Sequence, residues 1–155
     1  MRSIAFMILL TGCARDTMVG KWDGELICNG REYDVEARFE ETSAFDYEGE
    51  MLFSYEEEVV VSGSEATFLA ELLYEFTTHQ TVRTGGQDIF LAMTWTKLFC
   101  EVEFGDGSAE EGGCLNVGGI DNSDKGEAIG YVEMRYSGSD RITVDDDNCE
   151  GSLSN

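Results

Sequence analysis

The sequence predicts an all-β fold: an antiparallel meander of about eight strands that closes into a barrel, with a two-sheet sandwich as the alternative. Residues 33–39 alternate between apolar and charged side chains, the two-residue period of a half-buried strand. Proline is absent, and 18 glycines provide the breaks between the runs. A meander of strands joined by short turns must protect its two edges, and closure into a barrel does so.

The predicted strands follow one another in chain order, separated by turns rich in glycine, serine and aspartate. They span residues 19–28, 33–41, 45–55, 58–62, 66–78, 88–104, 128–137 and 141–144, and the tail from residue 149 adds one short strand. The stretch 81–88 predicts a hairpin loop, and the composition of 105–113 predicts a longer loop.

Residues 64–76 fit two kinds of structure. A helix capped by Ser64 would carry an apolar face made of Leu69, Leu72, Leu73 and Phe76. A strand fits equally well, because every second residue from Phe68 to Phe76 is apolar. The position directly after a strand and a turn favours the strand.

The first 14 residues have the layout of a secretory signal. Arg2 carries a charge, residues 4–10 are apolar but too few to span a bilayer, and the small residues Thr11 and Gly12 precede Cys13. The stretch LTGC resembles the lipobox of bacterial lipoproteins. In that family the cysteine thiol receives a diacylglycerol, the chain is cut before the cysteine, and acyl chains such as palmitate anchor the protein. An ordinary secretory signal that happens to precede a free cysteine is the alternative.

The lipobox resemblance implies three segments: a signal peptide at 1–12, the lipidated Cys13 with a short tether at 13–18, and a single β-domain at 19–155. The five residues after the cysteine extend no further than about 18 Å, so the domain would lie close to its membrane. The resemblance also implies a cell-envelope location. Ala14 favours the outer membrane, because an aspartate at that position is linked to inner-membrane retention in enteric bacteria.

The remaining cysteines predict two disulfides. Four is an even number in an exported domain and allows three pairings. We expect Cys28 to pair with Cys149, since the first and last strands of a closed meander become neighbours, and Cys100 to pair with Cys114 across one loop. Zinc is the competing interpretation, but no two cysteines have the close spacing of a metal knuckle and His79 is the only histidine. We therefore expect no metal and no cofactor.

The net charge of −22 restricts the possible partners. Such a charge repels nucleic acid and anionic headgroups, so a nucleic-acid partner is not expected. It suits solubility in a salty medium, where screening weakens the self-repulsion. It would also steer the protein toward a cationic partner protein.

Two further resemblances concern the domain. Gly20-Lys21-Trp22, at the start of the first strand, resembles the opening of lipocalins and avidin-like barrels, the calycin type of fold. That likeness implies that Trp22 closes one end of the barrel and that a small apolar ligand occupies the interior. The residues that would line it are Trp22, Tyr74, Phe76, Phe90 and Trp95.

The second resemblance is to the membrane-bound inhibitors of C-type lysozyme. The stretches at 28–39, 62–68 and 141–149 carry it, although EATF at 65–68 lacks the tyrosine that the family has after its Ser-Gly loop. The likeness implies a small lipoprotein barrel with a cysteine pair near its two ends. It also implies that Ser62 and Gly63 enter the cleft of a cationic lysozyme.

No pattern in the sequence predicts catalysis. A nucleophile elbow, a phosphate loop and a dinucleotide fingerprint are all missing, and among 32 acidic residues no carboxylate pair is diagnostic. We therefore expect no enzyme. The expected function is that of a membrane-anchored envelope lipoprotein with a non-catalytic binding or structural β-domain. The alternatives are an inhibitor of lysozyme and a small-ligand-binding barrel.

Overall fold

The structure is a computed structural model that describes residues 18–43, 46–83, 86–136, 138 and 140–155. Within these residues the chain forms nine strands and one short 3-10 turn at Asn122–Asp124. The strands are β1 (Gly20–Cys28), β2 (Arg31–Ser43), β3 (Asp46–Val61), β4 (Ser64–Arg83), β5 (Gly86–Phe104), β6 (Ala109–Glu111), β7 (Ala128–Tyr136), β8 (Arg141–Asp145) and β9 (Cys149–Ser154).

Eight of the strands form a closed antiparallel ring, in the order β1-β2-β3-β4-β5-β7-β8-β9 and back to β1. The predicted closed meander is therefore confirmed. Every strand in the ring pairs with two neighbours, which removes the open edges of an isolated sheet. Strand β6 lies outside the ring and pairs with β5 alone.

Several strand boundaries differ from the prediction. The two strands expected at 45–55 and 58–62 form the single strand β3, whose first predicted residue lies outside the described part of the chain. The ambiguous segment 64–76 is a strand, as favoured, and β4 continues to Arg83. Strand β5 begins at Gly86, so residues 81–83 and 86–88 of the predicted loop belong to strands, and residues 84–85 lie outside the described residues.

The loop expected at 105–113 contains a strand, so that prediction was wrong in part. The Gly107 N–H donates to the Phe104 carbonyl at 2.9 Å, and the Phe104 N–H donates to the Ser108 carbonyl at 2.8 Å. This tight turn folds the chain back so that Ala109 pairs with Glu103 and Glu111 with Glu101. Composition indicated a loop because it reports the turn residues but not the neighbouring strand.

The alternating pattern of each strand places apolar side chains in two clusters. The larger cluster fills the barrel and includes Trp22, Leu26, Phe39, Met51, Ile89, Leu91 and Ile142. The smaller cluster lies beyond one end of the barrel and consists of Tyr55, Ala66, Phe68, Ala70, Cys100 and Val102. No polar or charged side chain among the described residues is buried.

Both predicted disulfides are present. Cys28–Cys149 joins directly paired residues of β1 and β9 across a sequence separation of 121, so it locks the seam where the two ends of the chain meet. Cys100–Cys114 ties β5 to the segment after β6 across a separation of 14.

Strands β3, β4 and β5 continue past the barrel as an extension. Strand β3 pairs with β2 only as far as Ser54, yet it pairs with β4 up to Val61. The seven residues beyond Ser54 reach about 23 Å at the usual rise of a strand. The chain between β6 and β7 covers the inner face of the extension, where Val117 and Ile120 pack on the smaller cluster.

We expect the seam disulfide to contribute more stability than the other one. Replacing both Cys28 and Cys149 by serine should lower the free energy of unfolding by roughly 4–5 kcal/mol, because the chain-entropy cost of the opened loop grows with its length. Replacing Cys100 and Cys114 should cost roughly 3 kcal/mol on the same model. Urea unfolding of both variants and the parent protein measures the difference. A larger loss from the Cys100 and Cys114 variant would contradict this assignment.

Candidate functional site

One end of the barrel is closed by Trp22, the residue that the calycin-type likeness assigned to this position. Its indole N–H donates to the carbonyl of Met18 at 2.8 Å, and its ring meets Tyr136 edge to face at 5.8 Å between centroids. The Met18 N–H in turn donates to the Tyr47 hydroxyl at 3.2 Å. Met18, which falls in the predicted tether, is fully buried and belongs to this plug.

Of the other four residues expected to line the interior, three face it. Phe76 and Trp95 are buried, and Tyr74 packs against the same core while remaining partly exposed. Phe90 lies between the fully buried Ile89 and Leu91 and therefore points to the outer face of the sheet. Phe90 therefore does not line the interior. The sequence did not show which of the alternating positions of β5 face inward.

The interior is filled by these side chains. Phe76 contacts Phe39 at 4.9 Å between ring centroids, and the Trp95 indole N–H donates to the Lys97 carbonyl at 3.0 Å. The depressions among the described residues include five of 210 to 520 Å³, and outward-facing side chains form most of their walls. The aromatic residues thus contact each other where the cup hypothesis expected a ligand.

A chain of aromatic rings joins the barrel core to the extension. Tyr33 meets Phe53 and Tyr55 edge to face, and Phe53 meets Tyr74 in the same way at 5.3 Å. The guanidinium of Arg31 lies 4.0 Å above the Tyr55 ring, a favourable cation–π distance. Burial raises the pKa of Tyr74 to about 12, with a smaller contribution from the nearby Tyr33 phenol. Burial likewise raises the pKa of the Tyr33 and Tyr55 hydroxyls.

Ser62 and Gly63 form the tip of the extension. They are the two residues between β3 and β4, with φ of 51° and 83°, the positive values that a tight hairpin turn requires. Both are exposed, and the adjacent Val60 has 70% of its surface exposed. The pair that the lysozyme-inhibitor likeness identified therefore forms an exposed turn at the end of the β3–β4 hairpin.

Carboxylates dominate the outer face of the extension. Strand register brings Glu56 and Glu101 to either side of Leu69, and Glu58 and Glu103 to either side of Thr67. Further carboxylates lie along the same strands, at Glu65, Glu71 and Glu111. The combination of an acidic outer face and an apolar inner face gives the extension a strongly negative surface without any buried charge.

Sequence reasoning missed this extension, because three consecutive glutamates at 56–58 look like a turn between two strands. One signal was available. Tyr55, Val59 and Val61 are separated by even numbers of residues, so in one uninterrupted strand all three lie on the same face. Glu57 occupies an inward position in that pattern and forms an ion pair with Arg31 at 3.5 Å.

The described residues contain no group of three or more histidine, cysteine, aspartate or glutamate side chains placed to hold a metal ion. No helix among them is long and apolar enough to cross a membrane. Cys13, the expected lipidation site, lies outside the described residues.

Comparison with known proteins found no matching family model, no matching curated protein and no matching solved structure.

The raised pKa of Tyr74 predicts a specific loss of stability in alkali. The unfolded tyrosine ionises near pH 10 and the folded one near pH 12, so its contribution is complete below pH 10 and is lost as the pH rises through 12. The variant Tyr74→Phe should therefore lose less stability than the parent between pH 10 and 12, measured by urea unfolding at fixed pH values.

Tyr47→Phe is a separate test of the plug, because burial also raises the pKa of the Tyr47 hydroxyl and its removal changes the pH dependence as well. It should already be less stable at pH 7, by about 1–3 kcal/mol, because it leaves the buried Met18 N–H without its acceptor. An unchanged pH dependence in Tyr74→Phe would show that this phenol does not ionise with unfolding.

Proposed function

We propose that this protein is a lipid-anchored lipoprotein of the bacterial cell envelope whose β-domain acts without catalysis, by surface contact. The observation that carries the surface-contact part is the filled barrel, combined with an acidic extension that protrudes from one end. The lipobox at LTGC supports the anchor and the outer-membrane location. A small ligand inside the barrel is the weaker alternative, because side chains occupy the interior.

The direction of the strands supports a defined orientation. Strands β1 and β3 run the same way, since both are antiparallel to β2. Met18 and the start of β1 are therefore at one end of the barrel, and the tip at Ser62 and Gly63 is beyond the other. A lipid on Cys13 would hold the Met18 end against the membrane, and the extension would point away from it.

This arrangement favours a partner outside the membrane surface. The tether between Cys13 and the buried Met18 is only four residues long. Such a short tether restricts the plug end, whereas the outer face of the extension stays accessible. Because the domain carries a large negative charge, repulsion from anionic headgroups adds to this orientation.

Expression in a bacterial host tests the anchor. We expect the mature protein to begin at Cys13, with a mass increased by a diacylglycerol and an acyl chain, and to partition into the detergent phase. Cys13→Ala should abolish both the added mass and the partitioning, because the alanine lacks the thiol that accepts the lipid. An unmodified Cys13 in protein purified from membranes would overturn the proposal.

A second candidate function is inhibition of a cationic lysozyme, favoured by the exposed Ser62 and Gly63 turn at the tip. If it is correct, the purified domain should inhibit C-type lysozyme at micromolar concentration. Ser62→Ala should weaken inhibition at least tenfold, because it removes the hydroxyl at the tip. Ser154→Ala, an exposed serine at the end of β9, is the matched control and should have no effect. Absence of inhibition by the parent protein would exclude this function.

A further inference from the structure

The edge of β3 in the extension has no paired strand along its outer side. The register with β2 ends at Ser54, although the side chains of Arg31 and Tyr33 in β2 still reach Glu57 and Tyr55 on the inner face. The other side of β3 remains paired with β4 as far as Val61, and no turn or loop among the described residues donates a backbone hydrogen bond to residues 55–61. We call these seven residues the open edge.

The register identifies the backbone groups that point outward along the open edge. Val61 and Ser64 close a two-residue hairpin, and such a closing pair exchanges hydrogen bonds. The ladder alternates from there, so the N–H and C=O groups of Glu56, Glu58 and Val60 face away from β4. The same alternation is visible across the extension, where the outward carbonyl of Cys100 accepts from the Gly112 N–H at 2.8 Å.

The chain protects the opposite edge of the extension but not this one. Strand β6 pairs with β5 from Glu101 to Glu103, and the Cys100–Cys114 disulfide holds the following segment in place. The open edge has neither a covering strand nor a proline, and it contains three consecutive β-branched residues at 59–61. Unpaired, β-branched edges of this length are templates for strand addition.

The N-terminal tether does not reach the open edge. Met18 is fixed beside Tyr47 at the start of β3, and Glu56 lies nine residues further along that strand, about 30 Å away. After cleavage at the proposed site, residues 13–17 extend no more than about 18 Å.

A second copy of the chain is also a poor occupant. Antiparallel pairing of two open edges about their centre would place Glu58 directly opposite Glu58, and like charges in that position are destabilising. Each copy also carries a net charge of −22. The glutamates thus act against self-pairing and select an occupant of opposite charge.

We propose that the open edge receives an antiparallel β-strand from a cationic partner protein, with basic side chains opposite Glu56 and Glu58 and an apolar side chain opposite Val60. This inference rests on the proposed role of the domain as a surface-contact module and names the surface and the chemistry of its partner. Backbone hydrogen bonds to Glu56, Glu58 and Val60 supply the register, and the carboxylates supply the choice of partner.

A short synthetic peptide tests the proposal directly. The acetylated and amidated peptide TVVKTKT carries lysines at the positions that face Glu58 and Glu56 when its second residue faces Val60. In a titration of the ¹⁵N-labelled protein, saturating peptide should slow hydrogen exchange of the Glu56, Glu58 and Val60 amides at least tenfold. The peptide TVVETET, and a TVVKTKT peptide N-methylated on its bonding edge, should bind at least tenfold more weakly.

Two protein variants separate strand addition from general attraction of charge. Glu58→Lys should weaken binding of TVVKTKT at least tenfold and restore binding of TVVETET, whereas Glu150→Lys, the same change on exposed β9, should stay within twofold of the parent. Val60→Pro removes only an outward N–H, so it should keep the fold by circular dichroism and abolish binding.

Three results would overturn the inference: equal weakening by Glu58→Lys and Glu150→Lys, equal binding of the N-methylated peptide, or dimerisation of the parent through this edge in analytical ultracentrifugation. The first two results would show that charge attraction and not strand addition holds the peptide, and dimerisation would show that a second copy of the chain occupies the edge. The lipid on Cys13 is measured by mass independently of these peptides, so failure here is distinguishable from failure of the proposed anchor.

Discussion

Closure of the sheet between β1 and β9 is the constraint on which the remaining structure depends. The two strands lie so close that a side chain on Gly24 would collide with the backbone of Ser152, and one on Gly151 with the backbone of Glu25. The Cys28–Cys149 disulfide joins the same two strands at a directly paired position two residues away from Gly151. With the seam closed, inward side chains meet others across the interior, which explains a core with no buried polar or charged residue other than tyrosine among the described residues.

The unequal lengths of the strands determine where the acidic extension leaves the barrel. Strands β7, β8 and β9 have nine, five and six residues, whereas β3, β4 and β5 have 16 to 20. The longer strands outrun the ring and need a second small core to bury their inner face. Phe68 provides its centre, and the backbone of Gly118 lies so close to this ring that a side chain there would clash. The outer face of the extension is exposed to solvent and carries the carboxylates.

Two features connect the fold to the proposed function: side chains fill the barrel interior, and the extension points away from the end at which β1 begins. The barrel ends in a plug built on Trp22 and Met18, the side on which a lipid at Cys13 would be attached. The extension leaves from the other end, and one of its edges is covered by β6 while the other is open. A protein that acts by contact can thus keep a rigid, disulfide-locked body and offer one strand edge whose charges choose the partner.

The sequence by itself determined the all-β class and the existence of two disulfides, because strand alternation and an even number of cysteines can be read directly from the chain. It favoured the closed meander, the Cys28–Cys149 and Cys100–Cys114 pairings and the strand at 64–76 over stated alternatives, and it identified Ser62 with Gly63 as a turn. Only the tertiary structure decided that β3 is one strand, that Phe90 faces outward, that 109–111 pairs with β5, and that the barrel is full. Each of these depends on which strand lies alongside and on how much volume the facing side chains occupy, and neither quantity is encoded in the spacing of residues along the chain.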